Sequence, residues 1–259
     1  MSNTAQRPIM IQGPMIIEAE KMAAKLRNVT VEPTGNFIFY LGTLHDYPVI
    51  VAKTSKGMEN AAAATAVGIE RYRPIAVINQ GTAGGHDPAL QVGDIVLGSK
   101  ISPISNLKTE ERLAGEGSDP FAWKPMDVMA SEGSAGEDKN AERIRYYYSD
   151  EHLLQIARQI KDTYTHGTVV DGIIGSANLW NNELDRIKWL HENYGTSAEE
   201  MEGAAVAQIC AAYDVPFLSV RVLSNNKTNN GKYNPVTAQY CQEYVLDIVK
   251  AYIEELKRG

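Results

Sequence analysis

Cysteine is nearly absent from this sequence: Cys210 and Cys241 are the only two in 259 residues, and neither stands at a zinc-site spacing from His or Cys. A disulfide scaffold is excluded, no metal site is expected, and both thiols read as small buried apolar side chains in a reducing compartment. Long hydrophobic runs are also missing. The longest apolar stretches, 61–68 and 215–222, fall far short of the roughly 20 residues that cross a bilayer, so no membrane association is expected. Residues 1–8 are polar and carry no apolar secretion core, which gives the cytoplasm as the expected compartment. No run of five Lys/Arg occurs, and 25 basic against 32 acidic residues give −7, so nucleic acid is not an expected partner. The Lys-Ser/Thr of a phosphate loop and the spacing of a dinucleotide fingerprint are both lacking.

What is present is the composition of a folded domain, 44% hydrophobic and 22% charged. Short β-type runs alternate with longer helical patterns, the signature of an α/β fold. Strands are predicted at 8–12, 36–44, 47–54, 74–80, 92–99, 168–174 and 216–223, with a hairpin turn at His45-Asp46. Helices are predicted at 16–27, 58–72, 150–164, 183–193, 201–213 and 237–257 from apolar residues at helical spacing. Residues 101–149, rich in Gly, Ser, Pro and charge, break this rhythm and read as an insert. No linker divides the chain, which predicts one domain spanning 1–259.

Ligands of open α/β sheets sit beyond the carboxyl ends of strands. Three such ends here are polar or glycine-rich: Gly13-Pro14 leading to Glu18, the run 81–85 (GTAGG) with the hydroxyl of Thr82, and 224–230. The glycine run by itself reads equally as a plain turn. Glu202 opens an Ala/Val-rich helix, where a carboxylate also serves as a cap stabilised by the helix dipole. Of the five histidines, His86 is singled out by its place after the glycine run.

These segments, taken in order, resemble a known family. GPMIIEAEKM (13–22), SKGMENAAAAT (55–65), INQGTAGGHDPALQVGDIV (78–96), GSANLWNN (175–182) and EEMEGAAVAQICAAYDVPFLSVRVLS (199–224) are similar to the nucleoside phosphorylase superfamily, and within it to the bacterial methylthioadenosine/S-adenosylhomocysteine nucleosidases. Only 101–149 lies outside the likeness. The resemblance implies a twisted mixed β-sheet flanked by helices, a homodimer, no cofactor, and cleavage of the N-glycosidic bond of a purine nucleoside.

Residue by residue, the resemblance makes Glu202 the acceptor of the ribose hydroxyls, a role suited to charge-assisted hydrogen bonds. Met58 and Met201 become apolar contacts to the sugar, Trp180 the aromatic that stacks on the base, and Asn181 and Ser224 further substrate-binding residues. Phosphorylases place arginines where this chain has Glu18 and Asn79. A glutamate there repels phosphate but can take a proton from water, so Glu18 is expected as the general base of a hydrolase, with Thr82 and Arg221 holding the water. Arg221 remains one cation able to meet an anion.

One departure concerns the base. The nucleosidases carry an aspartic acid after the Arg-x-x-Ser segment, and Asn225 stands there; an amide donates hydrogen bonds but cannot be a general acid. Three readings stay open: a site for 6-oxopurines, a silent nucleoside-binding protein, or hydrolysis of adenine nucleosides with protonation by another route. Asn178 is a second replacement of an acidic residue, expected next to the base. A phosphate-dependent 6-oxopurine phosphorylase is the alternative enzyme, and the insert, with Phe121 and Trp123, is expected to select the 5′ substituent.

Overall fold

The computed structural model describes residues 6–129 and 143–258. Its centre is β1 (Ile9–Gly13), buried at every position. It pairs in parallel with β4 (Tyr47–Lys53) on one side and β5 (Ala76–Gly85) on the other. A strand covered on both faces reads as a continuous apolar run rather than an alternation, which is why residues 8–12 stood out. The hairpin of β3 (Phe37–Leu44) and β4 turns at His45 and Asp46, both at positive φ (49° and 60°), as a two-residue primed turn requires.

The remaining elements are α1 (Ile16–Ala23), β2 (Arg27–Thr34), α2 (Met58–Tyr72), β6 (Ile95–Pro103), α3 (Glu151–Gln159), β12 (Val169–Ser176), α4 (Leu184–Tyr194), β13 (Thr196–Glu200), α5 (Gly203–Ala212), β14 (Phe217–Asn225) and α6 (Thr237–Leu256). Between β6 and α3 lie short strands β7 (Leu107–Lys108), β8 (Lys124–Pro125), β9 (Val128–Met129), β10 (Arg143–Ile144) and β11 (Tyr147–Tyr148). The main sheet runs β11-β6-β12-β13-β5-β1-β4-β3-β2, and β14 pairs with both β5 and β6. Strands β5, β13, β12, β6 and β14 therefore close into a ring, from which β1, β4, β3 and β2 extend as an open wing.

Helices α1, α3 and α6 cover one side of the sheet, where Tyr244, Val245, Ile248 and Val249 of α6 are buried with Leu153, Ile156 and Val220. Helices α2 and α5 cover the other, around Phe39, Ile69, Val206 and Cys210. Burying a side chain of this size contributes about 1.5–3 kcal/mol, so the two apolar layers carry the wing and the ring together. Both cysteines are free and buried, as expected. Among the described residues, no helix is long and apolar enough to cross a membrane.

The fold class agrees with the expectation, but several elements differ. The first helix ends at Ala23 rather than residue 27, and β2 follows it as an edge strand whose Val29 and Val31 are exposed. An edge strand turned to solvent has no apolar alternation to detect. The run 81–85 is not a turn but the last half of β5, held between β13 and β14. Strand β13, with sequence TSAEE, is buried throughout and is absent from the predicted strands because buried polar strands imitate loops in composition. Strand β14 extends through Ser224 and Asn225, and α5 begins at Gly203. The insert is narrower than 101–149: β6 continues to Pro103, and Tyr147 and Tyr148 have already rejoined it. Part of that insert, 130–142, lies outside the described residues.

Candidate active site

A cavity of about 740 Å³ opens where β1, β5 and β14 end and β13 turns into α5. All three polar strand ends singled out above meet there, as Pro14 to Glu18, Thr82 to His86 and Ser224 to Asn226. Among the site residues expected from sequence, Glu18, Thr82, Trp180, Asn181, Met201, Glu202, Arg221, Ser224 and Asn225 line it. Met58 does not. Its backbone N–H donates to Asn178 Oδ1 (2.9 Å) at the start of α2, and Lys56 lines the cavity from that loop instead. Asn178 also donates to Glu59 (2.7 Å), so it ties down α2, and it is not among the residues that line the cavity. No described residue of the insert reaches the cavity, and Phe121 and Trp123 are not part of its wall.

The floor is a set of buried charges. Glu18, projecting from α1, accepts from the Thr82 N–H (2.8 Å) and Thr82 hydroxyl (2.9 Å) through Oε1 and from the Met15 N–H (3.2 Å) through Oε2. Gly81 permits this approach: a Cβ there would lie 2.8 Å from Glu18 Oε1 and 2.9 Å from Arg221 Nη1. Arg221, fully buried on β14, binds Glu200 at 2.5 Å, Glu202 at 3.4 Å and the Asn79 side-chain oxygen. Glu202 also accepts from the Gly57 N–H (2.9 Å).

One guanidinium among three buried carboxylates sets the protonation of the group. Burial raises the Glu18 carboxyl above its ordinary range, against the pull of Arg221 and the Thr82 donors. Burial likewise pushes Glu202 up to about 7, with Arg221 opposing and Glu200 adding to the rise. For Arg221, burial works against the charge, but Glu200, Glu202 and Glu18 outweigh it and hold the side chain protonated. A carboxylate poised near neutrality can take up a proton at physiological pH.

Helix α5 is capped by a carboxylate, but by Glu200 rather than Glu202. The Glu200 oxygens accept from the N–H groups of Glu202 (2.9 Å) and Gly203 (2.8 Å) and from Ser176, while Glu202 makes no cap and faces the cavity. The sequence assigns no role to Glu199 or Glu200 and singles out His86 by its position alone. Period-two alternation on β13 turns Glu199 and Glu200 to opposite sides, a signal available once 196–200 is taken as a strand. Glu199 accepts from the Asn181 N–H (3.1 Å) and amide and lies 3.5 Å from His86 Nε2, all three lining the cavity. The outer wall is apolar and open: Leu179, Trp180 and Leu184 are each about half exposed. Trp180 meets Tyr233 edge-on at 6.3 Å and donates to Asn182 (3.1 Å), which rules out a core tryptophan.

The sequence profile described as the Phosphorylase superfamily matches residues 8–254. The 5′-methylthioadenosine/S-adenosylhomocysteine nucleosidase of Psychromonas ingrahamii is 29% identical over 247 residues, covering 93% of this chain and 97% of that protein. The protein of the same name from Bacillus cereus is 29% identical over 252 residues, covering 96% and 99%. The crystal structure of the Neisseria meningitidis nucleosidase of that name, in complex with methylthio-immucillin-A, superposes with a TM-score of 0.75 at 26% identity, covering 95% of this chain and 99% of that one.

Proposed function

The chain belongs to the phosphorylase superfamily, and from that premise we propose that it is a purine-nucleoside N-glycosidase that uses water. The observation that carries this reading is the environment of Arg221. A phosphate nucleophile needs an available cation, and the guanidinium is committed to Glu200, Glu202 and Asn79 beneath Glu18. The lysines on the cavity wall, Lys56 and Lys227, are exposed rather than set in this floor. The relatives that match along nearly the whole chain are named nucleosidases, which supports the same choice.

In this reading Glu18 takes a proton from a water held with Thr82, and the water oxygen bonds to C1′ of the ribose. The electron pair of the C1′–N9 bond leaves with the purine. Glu202 accepts the ribose hydroxyls from beside Arg221, and its negative charge offsets the cationic character that the sugar acquires at the transition state. Met201 contacts the sugar, Trp180 stacks on the base, and Ser224 and Asn225 face its imidazole edge. Asn225 has no proton to give, so it stabilises the departing base by hydrogen bonding, and solvent supplies the proton. The scheme calls on no metal or organic cofactor. A cytoplasmic homodimer is part of the reading, and sedimentation of the purified protein checks the assembly.

The test is base release from methylthioadenosine, S-adenosylhomocysteine, adenosine, inosine and guanosine, each with and without phosphate. Release that is independent of phosphate and yields free ribose or its 5′ derivative is expected. Release that requires phosphate and yields a ribose 1-phosphate would make the protein a phosphorylase.

A further inference from the structure

The loop that opens α2 carries Gly57, whose N–H donates to Glu202 Oε1 (2.9 Å). An uncommon backbone delivers it: Ser55 and Gly57 both stand at positive φ (66° and 98°). Residues in that region persist where their surroundings hold them. Some of the hold is close at hand. The Thr54 N–H donates to the Gly13 carbonyl (3.1 Å), Lys53 to the Ser55 hydroxyl (3.1 Å) and Asn60 to the Lys56 carbonyl (2.7 Å). The rest comes from the segment after β12, which carries Leu179, Trp180 and Asn181 of the cavity wall. From there Asn178 Oδ1 accepts the Met58 N–H (2.9 Å), and its Nδ2 donates to Glu59 (2.7 Å). A backbone N–H faces only the amide oxygen and a carboxylate only the NH₂, so the two partners fix which way the amide points. A Cβ on Gly57 would lie 3.2 Å from Asn178 Oδ1, which places the clamp directly against the residue that serves Glu202.

Asn178 is itself pinned on either side. The Ala177 N–H donates to the Glu200 carbonyl (3.0 Å) and the Asn181 N–H to the Glu199 carboxylate (3.1 Å), both on β13. The strand that holds Arg221 through Glu200 therefore also presents Asn178 to α2. The charged groups about Glu202 are Arg221 on β14, Glu200 on β13 and Glu18 on α1, with Lys56 and Glu59 on the segment that carries Gly57. Asn178 is uncharged, so removing it alters none of them. What it alters is the Gly57 N–H, a donor that favours the ionised form of Glu202.

We propose that Asn178 is a positioning residue for the ribose acceptor, clamping the first turn of α2 so that the Gly57 N–H stays on Glu202. It touches neither the cavity nor a ligand and acts through the backbone of α2. This inference rests on the nucleosidase reading, in which Glu202 accepts the ribose hydroxyls as a carboxylate.

The test is the pH profile of kcat/KM for base release in the intact protein and in Asn178→Ala. Without the Gly57 donor the carboxylate ionises later, so the acid limb is expected to move up by about one pH unit, the size of one hydrogen bond to a charged group. Well above the limb, where Glu202 is ionised in both, the two proteins are expected to have equal rates. A uniform loss at every pH, as general loosening gives, or an unmoved limb would overturn the assignment. Glu59→Ala cuts the other anchor of Asn178. Its limb is expected to move up by less, whereas loss of a negative charge alone moves it down; a downward or absent shift counts against the clamp. The Glu202 carboxyl resonance, identified in carbon NMR by its loss in Glu202→Gln, reads the same shift in N178A without turnover. Absence of base release from every nucleoside would count against the nucleosidase reading and leave that titration to decide the clamp.

Discussion

The floor and the outer wall of the cavity are built on opposite principles. On the floor, Glu18, Glu200, Glu202 and Arg221 are buried, and each is held by several hydrogen bonds or ion pairs. On the wall, Leu179, Trp180 and Leu184 stand half exposed, with few fixed partners. The floor is organised before any ligand arrives, at the expense of burying like charges. The wall keeps apolar surface in water that only a bound molecule can cover. The proposed function puts chemistry on the first and affinity on the second, and each can be perturbed while the other is watched.

The largest effect is expected from Arg221→Met. Removing one partner of a buried ion-pair set leaves three carboxylates facing one another, a loss of about 3–5 kcal/mol in urea-unfolding free energy. A variant as stable as the wild type would show that the floor is not held by charge. Next comes Glu18→Gln, which keeps the shape and hydrogen-bonding reach of the side chain but cannot accept a proton from water. Its kcat should fall by about 10²–10⁴-fold, with ligand binding measured by calorimetry changed little. An active E18Q protein would remove Glu18 from the chemistry. On the wall, Trp180→Ala should weaken binding by roughly 10–100-fold, since stacking on a base contributes about 1–3 kcal/mol. That loss should appear in KM more than in kcat, the reverse of E18Q.

The smallest effect is a pH signature of the floor. Glu202 is pushed up to about 7, above its ordinary value of 4.5. A group raised on folding contributes stability that is complete below its unfolded pKa and is lost as pH rises through the folded one. In the proposed mechanism activity runs the other way, because Glu202 accepts the ribose hydroxyls as a charged carboxylate. Base release should therefore climb through pH 7 while the stability contribution of Glu202 falls between about pH 4.5 and 7. Glu202→Gln, which does not titrate, should gain Tm relative to wild type as pH rises from 5 to 8, by a few degrees for each kcal/mol. A pH-independent difference in Tm would mean that Glu202 is ionised throughout.

The same division governs what could be read from the sequence. Strands β1, β4 and β14 announce themselves because central strands are apolar throughout, and the paired strand ends with Glu18, Thr82 and Asn225 followed from them. Strand β13 stayed hidden because its burial is bought with hydrogen bonds to Thr196, Glu199 and Glu200 rather than with apolar side chains. Once it was missed, nothing local could distinguish Glu200, which caps α5 and holds Arg221, from Glu202 two residues on. Met58 stands off the cavity wall for a related reason. Its position depends on how Asn178, 120 residues away, seizes the start of α2.

The closed ring of β5, β13, β12, β6 and β14 has a bearing on how this protein can vary. In an open sheet, a strand that gains or loses one residue can slide along a single neighbour; in a ring, the slip has to be absorbed by every member before the circle closes again. Thr82, Gly84, Glu199, Arg221 and Asn225 all sit on ring strands, so substitutions can retune the site while insertions and deletions within those strands would scatter it. The stretch between β6 and β11 leaves the ring and returns to its outer edge, where added or lost length changes no register. Divergence in this lineage is therefore expected as single exchanges around the cavity and as changes of length in that one excursion.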